Sequence, residues 1–128
     1  MPSTCTDTDP AGYERALAAA PGAVRLPGGV AISSCLRRVR TDAELQNLGS
    51  VVHATAEHLA ARARGGSAQA ALTLGYLSAA VTAGAGHSSG IAAELARRVN
   101  VAGVGVSDAS PAVARALERG LAAGAARG

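Results

Sequence analysis

The sequence predicts a mainly α-helical protein, a small bundle of about four to six helices around a central antiparallel helical hairpin. Helix start and stop signals recur along the 128 residues. Alanine, the residue with the highest helix propensity, supplies 32 of these residues. The length suffices for one domain, and its core must be packed largely with small side chains because Phe and Trp are absent.

The first helix follows a polar N-terminal segment. Residues 1–8 contain no apolar run, and we expect them to be flexible. Asp9 followed by Pro10 is the typical pairing of an N-cap with proline at the first helical position. These two residues predict a short helix that ends by about Ala20, before a Pro-Gly pair.

Apolar residues alternate in the next segment, on both sides of Pro27-Gly28-Gly29. The pattern is compatible with a short β-hairpin at residues 24–32. Two strands alone are marginally stable in water, so this hairpin would have to lie on the helices. Ser33 or Ser34 can then cap a short helix that reaches Val39.

The central hairpin has the clearest signals. Thr41 and Glu44 form a capping box, which opens a helix that should run to about Arg64. Gly65-Gly66 ends this helix and Ser67 caps the next one. Because the link is so short, the two helices must be antiparallel neighbours.

The second helix of the hairpin, residues 68–85, has apolar or small residues on all sides, which is typical of a buried helix. The 29 residues between Arg64 and Glu94 carry no formal charge. Polar residues such as Gln69 and Thr73 interrupt this apolar character, however, and a membrane span needs about 20 predominantly apolar residues. We therefore expect a buried helix of a soluble bundle and no transmembrane segment.

The C-terminal part contains two further helices. One spans about Ile91 to Val99, with Asn100 as a left-handed C-cap, and the last begins at Ser110. After Leu121 only Ala, Gly and Arg remain, and we expect this tail to fray. The predicted organisation is a flexible N-terminus (1–8), a helical domain (9–99), and an appended loop and C-terminal helix with a frayed tail (100–128).

Charge and composition restrict the partners. All 12 basic residues are Arg, acidic residues are interleaved with them, and the formal net charge is +3. Two Tyr are the only aromatic residues, which argues against nucleic-acid binding by base stacking. If nucleic acid were bound weakly, the contacts would come from Arg37, Arg38, Arg40, Arg97 and Arg98, but solvated helix faces explain these residues better and we do not expect this partner.

His53 and Glu57 form the best candidate for metal binding, because their i, i+4 spacing places them on one helix face. His58 lies about 140° around the helix from His53 and cannot share an ion with it. Two ligands do not make a zinc site, so a metal-dependent or small-molecule enzyme is an alternative rather than the leading hypothesis. We expect no catalytic residues, metal or cofactor, since Walker-type phosphate loops need Lys and a dinucleotide fingerprint is lacking.

Five segments of the sequence resemble an uncharacterised family of small actinobacterial helical proteins, over roughly residues 22–99. Members of this family often carry an N-terminal membrane anchor, which the present sequence lacks. The resemblance implies an extracytoplasmic helical domain at the cell envelope, and it implies no activity. The segments are Val24–Leu26, Ser34-Cys35, Thr41–Gly49, Leu72–Leu77 and Ser89–Arg98.

Cys5 and Cys35 are 30 positions apart, in a spacing that fits no metal motif. Cys5 precedes the first helix and Cys35 belongs to the short helix after residues 24–32, so a disulfide could fix the N-terminus to that region. Two free thiols are the alternative, and the redox state of the compartment decides between them. Met1 without an apolar leader indicates the cytoplasm, whereas a missing upstream anchor would indicate the cell envelope.

The leading functional hypothesis is a non-enzymatic helical interaction or structural module, at the bacterial cell envelope. It rests on well-formed helix signals without a convergent cluster of reactive side chains. Its partner would be an unknown protein or a second copy of the chain.

Overall fold

A computed structural model describes residues 1–128 and contains seven α-helices, with one 3-10 turn at Val106–Asp108 before the last of them. The mainly α-helical fold class and the antiparallel central helical hairpin are confirmed. The helices are α1 Thr4–Asp7, α2 Pro10–Leu17, α3 Ile32–Arg37, α4 Asp42–Arg64, α5 Ala68–Ala85, α6 Ala93–Ala102 and α7 Pro111–Arg127.

Helix α5 is the centre of the fold. Thirteen of its 18 residues are buried, and α3, α4, α6 and α7 pack around it. A helix that is surrounded in this way can be apolar on every side, as the sequence of α5 predicts. No helix of the protein combines the length and the apolar character needed to cross a membrane.

Helix α7 lies parallel to α5 and so close that the two backbones touch. A Cβ atom at Gly120 would lie 2.0 Å from the carbonyl oxygen of Leu72, and one at Gly124 would lie 2.4 Å from that of Tyr76. The helix continues to Arg127, with Ala123 and Gly124 buried. This corrects the prediction of an appended helix with a frayed tail, because small residues allow a backbone contact that replaces large apolar side chains.

The N-terminal segment is attached to the core at a corner that we call the disulfide corner. Cys5 of α1 and Cys35 of α3 form a disulfide with 5.8 Å between their Cα atoms, and both residues are completely buried. The Tyr13 hydroxyl donates a hydrogen bond to the Cys5 carbonyl oxygen at 2.6 Å, and burial raises the pKa of Tyr13. The expected flexibility of residues 1–8 is therefore corrected to an anchored one-turn helix.

Residues 24–32 do not form the expected β-hairpin. Leu26 and Val30 make a single antiparallel bridge, around a turn in which Gly28 and Gly29 have φ angles of +84° and +79°. The ladder cannot extend, since the Val24 amide donates to the hydroxyl of Tyr76 at 3.0 Å and Ile32 already begins α3. Tertiary contacts use the backbone groups that a hairpin would have paired.

The position of α6 also differs from the prediction. It begins two residues later, at Ala93, and Asn100 lies within the helix rather than at its left-handed C-cap. The Asn100 side chain forms hydrogen bonds with Ser78 and Thr82 of α5. These bonds hold α6 antiparallel to α5, and Ala102 becomes the last helical residue.

Candidate functional site: two grooves beside α4

Two open grooves flank α4, and three of the candidate side chains from the sequence, His53, His58 and Arg98, line them. The first, which we call the α4–α6 groove, has a volume of about 760 Å³. Its floor consists of Leu45, Gly49 and Leu95, and its rims carry Asp42, Gln46, Ser50 and His53 from α4 with Glu94 and Arg98 from α6.

Gly49 contributes no side chain to the floor of the groove. A Cβ atom at this position would lie 3.7 Å from the Cδ1 atom of Leu95, which is an ordinary van der Waals distance. Leu95 is buried and Leu45 is half-buried, so the floor is apolar but partly reachable from solvent. An apolar floor between polar rims is typical of a surface that binds another protein.

The charged side chains of this groove occupy different positions along its length. Helices α4 and α6 run in the same direction, since Leu95 lies opposite Gly49 and the Arg64 guanidinium donates to the Ala102 carbonyl oxygen at 2.7 Å. Asp42 therefore lies near the end where both helices start, and Glu94 lies near the middle of the groove, where it is bonded to Arg98 at 3.2 Å. His53 and Arg98 lie toward the opposite end.

The predicted metal-binding pair is close together, but it remains a pair. The Nε2 atom of His53 lies 3.3 Å from the Oε1 atom of Glu57, and both side chains are about half exposed. No group of three or more His, Cys, Asp or Glu residues is placed so that it could hold a metal ion. His58 faces a different groove, in agreement with the angular argument from the sequence.

The five candidate arginines do not form one patch. Arg97 and Arg98 both bind Glu94, at 2.7 and 3.2 Å, and their hydrogen bonds lower the pKa of Glu94 to about 2. Arg40 donates to the carbonyl oxygens of Arg37 and Val39 at the end of α3. Arg37 and Arg38 are exposed there as well, but α3 packs on α5, whereas α6 packs on α4 and α5.

The second groove, which we call the Glu14 cleft, lies between α2, α4 and α5 and has a volume of about 510 Å³. Glu14 accepts a hydrogen bond from Arg62 Nη1 at 3.0 Å, and its other oxygen lies 2.6 Å from His58 Nδ1. Sequence reasoning misses this cluster, because Glu14 is more than 40 residues away from both partners. The one local signal is the i, i+4 spacing of His58 and Arg62, which places both on one face of α4.

The two grooves differ in what they can bind. The α4–α6 groove offers a long apolar floor with charges of both signs, while the Glu14 cleft gathers cationic groups around one carboxylate. Comparisons with protein-family models, with curated proteins and with solved structures found no match to this chain.

Proposed function

We propose that the protein is a non-enzymatic helical interaction module that acts in an oxidising compartment, at the bacterial cell envelope, and associates with a second copy of itself. The observation that carries this proposal is the arrangement of the α4–α6 groove, with Asp42 near one end of an apolar floor and Arg98 toward the other. The groove spans Asp42 to Ala54 on α4, a length of about 18 Å. This length accommodates about three turns of a facing helix.

A second copy is the occupant because the groove is complementary to itself. In a two-fold dimer the same surface of both copies meets, so that the start of each groove faces the end of the other. Asp42 of one copy would then face Arg98 of the second copy. The apolar floors would meet at the centre, where Gly49 lets the helices approach closely.

The disulfide supports the proposed compartment. Cys5 and Cys35 are joined and completely buried, and disulfides persist in secreted, periplasmic and cell-surface proteins but are rare in the reducing cytosol. The cross-link closes a loop over 30 positions, which stabilises a small domain by about 2–4 kcal/mol. A helical module of this size benefits from such a cross-link, since alanine supplies 13 of the 35 residues of its buried core.

Sedimentation equilibrium over a range of protein concentrations tests the association. We expect a dimer that Asp42→Arg and Arg98→Glu each weaken by about tenfold or more, because each reversal places like charges together. The double variant should regain affinity, since the charges are opposite again. Arg97→Glu is the matched control, because Arg97 also binds Glu94 but does not line the groove.

A monomer at every concentration would overturn the self-association, and so would a double variant that is no better than the single ones. The compartment is tested separately, by alkylating the unfolded protein from its native cells with and without reductant. Mass spectrometry should detect modified cysteines only after reduction. Two modified thiols without reductant would contradict a location at the cell envelope.

A further inference from the structure

Two potential metal ligands lie together at the rim of the α4–α6 groove. The Nε2 atom of His53 lies 3.3 Å from the Oε1 atom of Glu57, beyond the usual range of about 2.7–3.2 Å for a hydrogen bond between nitrogen and oxygen. Two ligands that each lie about 2.0–2.1 Å from a tetrahedral zinc ion are themselves about 3.3–3.4 Å apart. The pair is therefore spaced like one edge of a zinc tetrahedron, and both side chains are about half exposed.

A single chain does not complete this site. No third His, Cys, Asp or Glu residue of the same chain is placed so that it could join the pair around an ion. A zinc site needs at least three protein ligands. The third ligand must therefore come from a second copy, and the geometry of the proposed dimer decides which residue that is.

Asp42 of the second copy lies at the right level along the helix. Asp42, Gly49, His53 and Glu57 follow one another at spacings of seven, four and four positions, which places them on one side of α4. Asp42 precedes Gly49 by about 10 Å along the helix, while His53 and Glu57 follow it by about 6 and 12 Å. In a two-fold dimer centred at Gly49, Asp42 of one copy therefore lies between the levels of His53 and Glu57 of the other.

We propose that the dimer binds two zinc ions, each held by His53 and Glu57 of one chain and Asp42 of the other. This inference rests on the proposed self-association and assigns a metal to the same groove. Water would occupy the fourth position of each ion. One imidazole with two carboxylates favours zinc over magnesium and calcium, which prefer oxygen ligands alone.

Arg98 is compatible with a metal ion at this end of the groove. Its guanidinium is bonded to Glu94 at 3.2 Å, so its charge is already compensated. A carboxylate has two oxygens, so Asp42 of the second copy can accept a hydrogen bond from Arg98 with one and bind zinc with the other. Carboxylates that bind metals in proteins are commonly hydrogen-bonded in this way.

Sedimentation equilibrium in zinc chloride, magnesium chloride or EDTA tests the site. We expect zinc to strengthen dimerisation at least about tenfold relative to EDTA, with one ion bound per chain, and magnesium to have no effect. Glu57→Gln should abolish the zinc effect but leave the metal-free dimer unchanged, because Glu57 does not line the groove. His58→Gln is the matched control and should keep the full zinc effect, since His58 faces the Glu14 cleft.

Mixing two variants shows whether the ligands come from different chains. Asp42→Asn and His53→Ala should each lose the zinc effect, but a mixed dimer regains one complete site and should bind one ion. A mixture that binds no more zinc than either variant would overturn the shared site, and so would zinc that binds without promoting dimerisation. A metal-free dimer that zinc leaves unchanged would overturn this inference alone, whereas a monomer under every condition would overturn the proposed function as well.

Discussion

Glycine residues have different structural roles in two helix pairs of this protein. Between α5 and α7 lies a seam formed by Gly75, Gly120 and Gly124, in which the two backbones touch. Between α4 and α6, Gly49 leaves a groove that remains open to solvent. The absence of a side chain permits backbone contact between α5 and α7, whereas between α4 and α6 it leaves part of a groove unfilled.

The difference teaches that surroundings, and not residue type, decide what a glycine does. A Cβ atom at Gly120 meets backbone atoms, which cannot move without displacing a whole helix. At Gly49 the nearest atom is the end of a leucine side chain at a comfortable distance. The seam should therefore tolerate no added carbon, while the open groove should tolerate several changes.

The largest difference in the free energy of unfolding should come from introducing a carboxylate into the centre of α5 and onto the floor of the groove. Leu77 is completely buried in α5, so Leu77→Asp buries an unpaired carboxylate, which costs several kcal/mol and should unfold the protein. Leu45→Asp places the same carboxylate on the half-buried groove floor, where it should cost about 1 kcal/mol or less. Urea titrations followed by circular dichroism measure the free energy of unfolding of both variants, at concentrations where the chain is monomeric. Equal losses of stability in the two variants would contradict this expectation.

Gly120→Ala should have the next largest effect. The added methyl group would lie 2.0 Å from the Leu72 carbonyl oxygen, so α7 would have to move away from α5. We expect a loss of about 3 kcal/mol in the free energy of unfolding, at the upper end of the usual cost of overpacking. Thermal denaturation tests this expectation. A melting temperature equal to that of the parent would show that α5 and α7 are not in direct backbone contact at Gly120.

Gly49→Ala is the matched substitution in the groove, and it should act in the opposite direction. The methyl group has room, and alanine is favoured over glycine inside a helix by about 0.5–1 kcal/mol. The melting temperature should rise by a few degrees. A decrease would mean that Leu95 cannot accept the methyl group, and that the groove floor is as tightly packed as the seam.

The smallest effect concerns the rim charge Glu94. Hydrogen bonds from Arg97 and then Arg98 lower its pKa from 4.5 to about 2 in the folded protein. The folded-state pKa is below the unfolded one, so its contribution to stability is present above pH 4.5 and is lost as the pH falls through 2. NMR titration of the Glu94 carboxyl group should show a midpoint near 2 that Arg97→Gln raises, and an unchanged midpoint would exclude this hydrogen bond as the cause.

Much of the fold could be predicted because its signals are local. The capping box of Thr41 and Glu44 and the Gly65-Gly66 stop bound the first helix of the central hairpin where the structure has it. Asp9 and Ser110 likewise cap helices that begin with the prolines that follow them. In each case the residues that determine the helix end lie within a few positions of it.

The remaining features depend on contacts between distant segments. Residues 122–127 contain only Ala, Gly and Arg and lack the usual signs of a packed helix, since their stabilising partner is the backbone of α5. Asn100 is a residue type that often ends helices, but Ser78 and Thr82 of α5 form hydrogen bonds with its side chain, and α6 continues past it. His53 and Arg98 were separate candidates in the sequence, and only the packing of α6 on α4 places them along one groove.

The hydrogen bonds of the two tyrosines have a consequence for optical spectroscopy. The chain contains no tryptophan, so its near-ultraviolet absorption and fluorescence come mainly from Tyr13 and Tyr76. Tyr13 is bonded to the Cys5 carbonyl at the disulfide corner, and Tyr76 is bonded to the Val24 amide from the middle of α5. Replacing either tyrosine with phenylalanine leaves one tyrosine as the main chromophore. The signal of Tyr13 then reports on unfolding at the disulfide corner, and that of Tyr76 on unfolding around α5, without an attached dye.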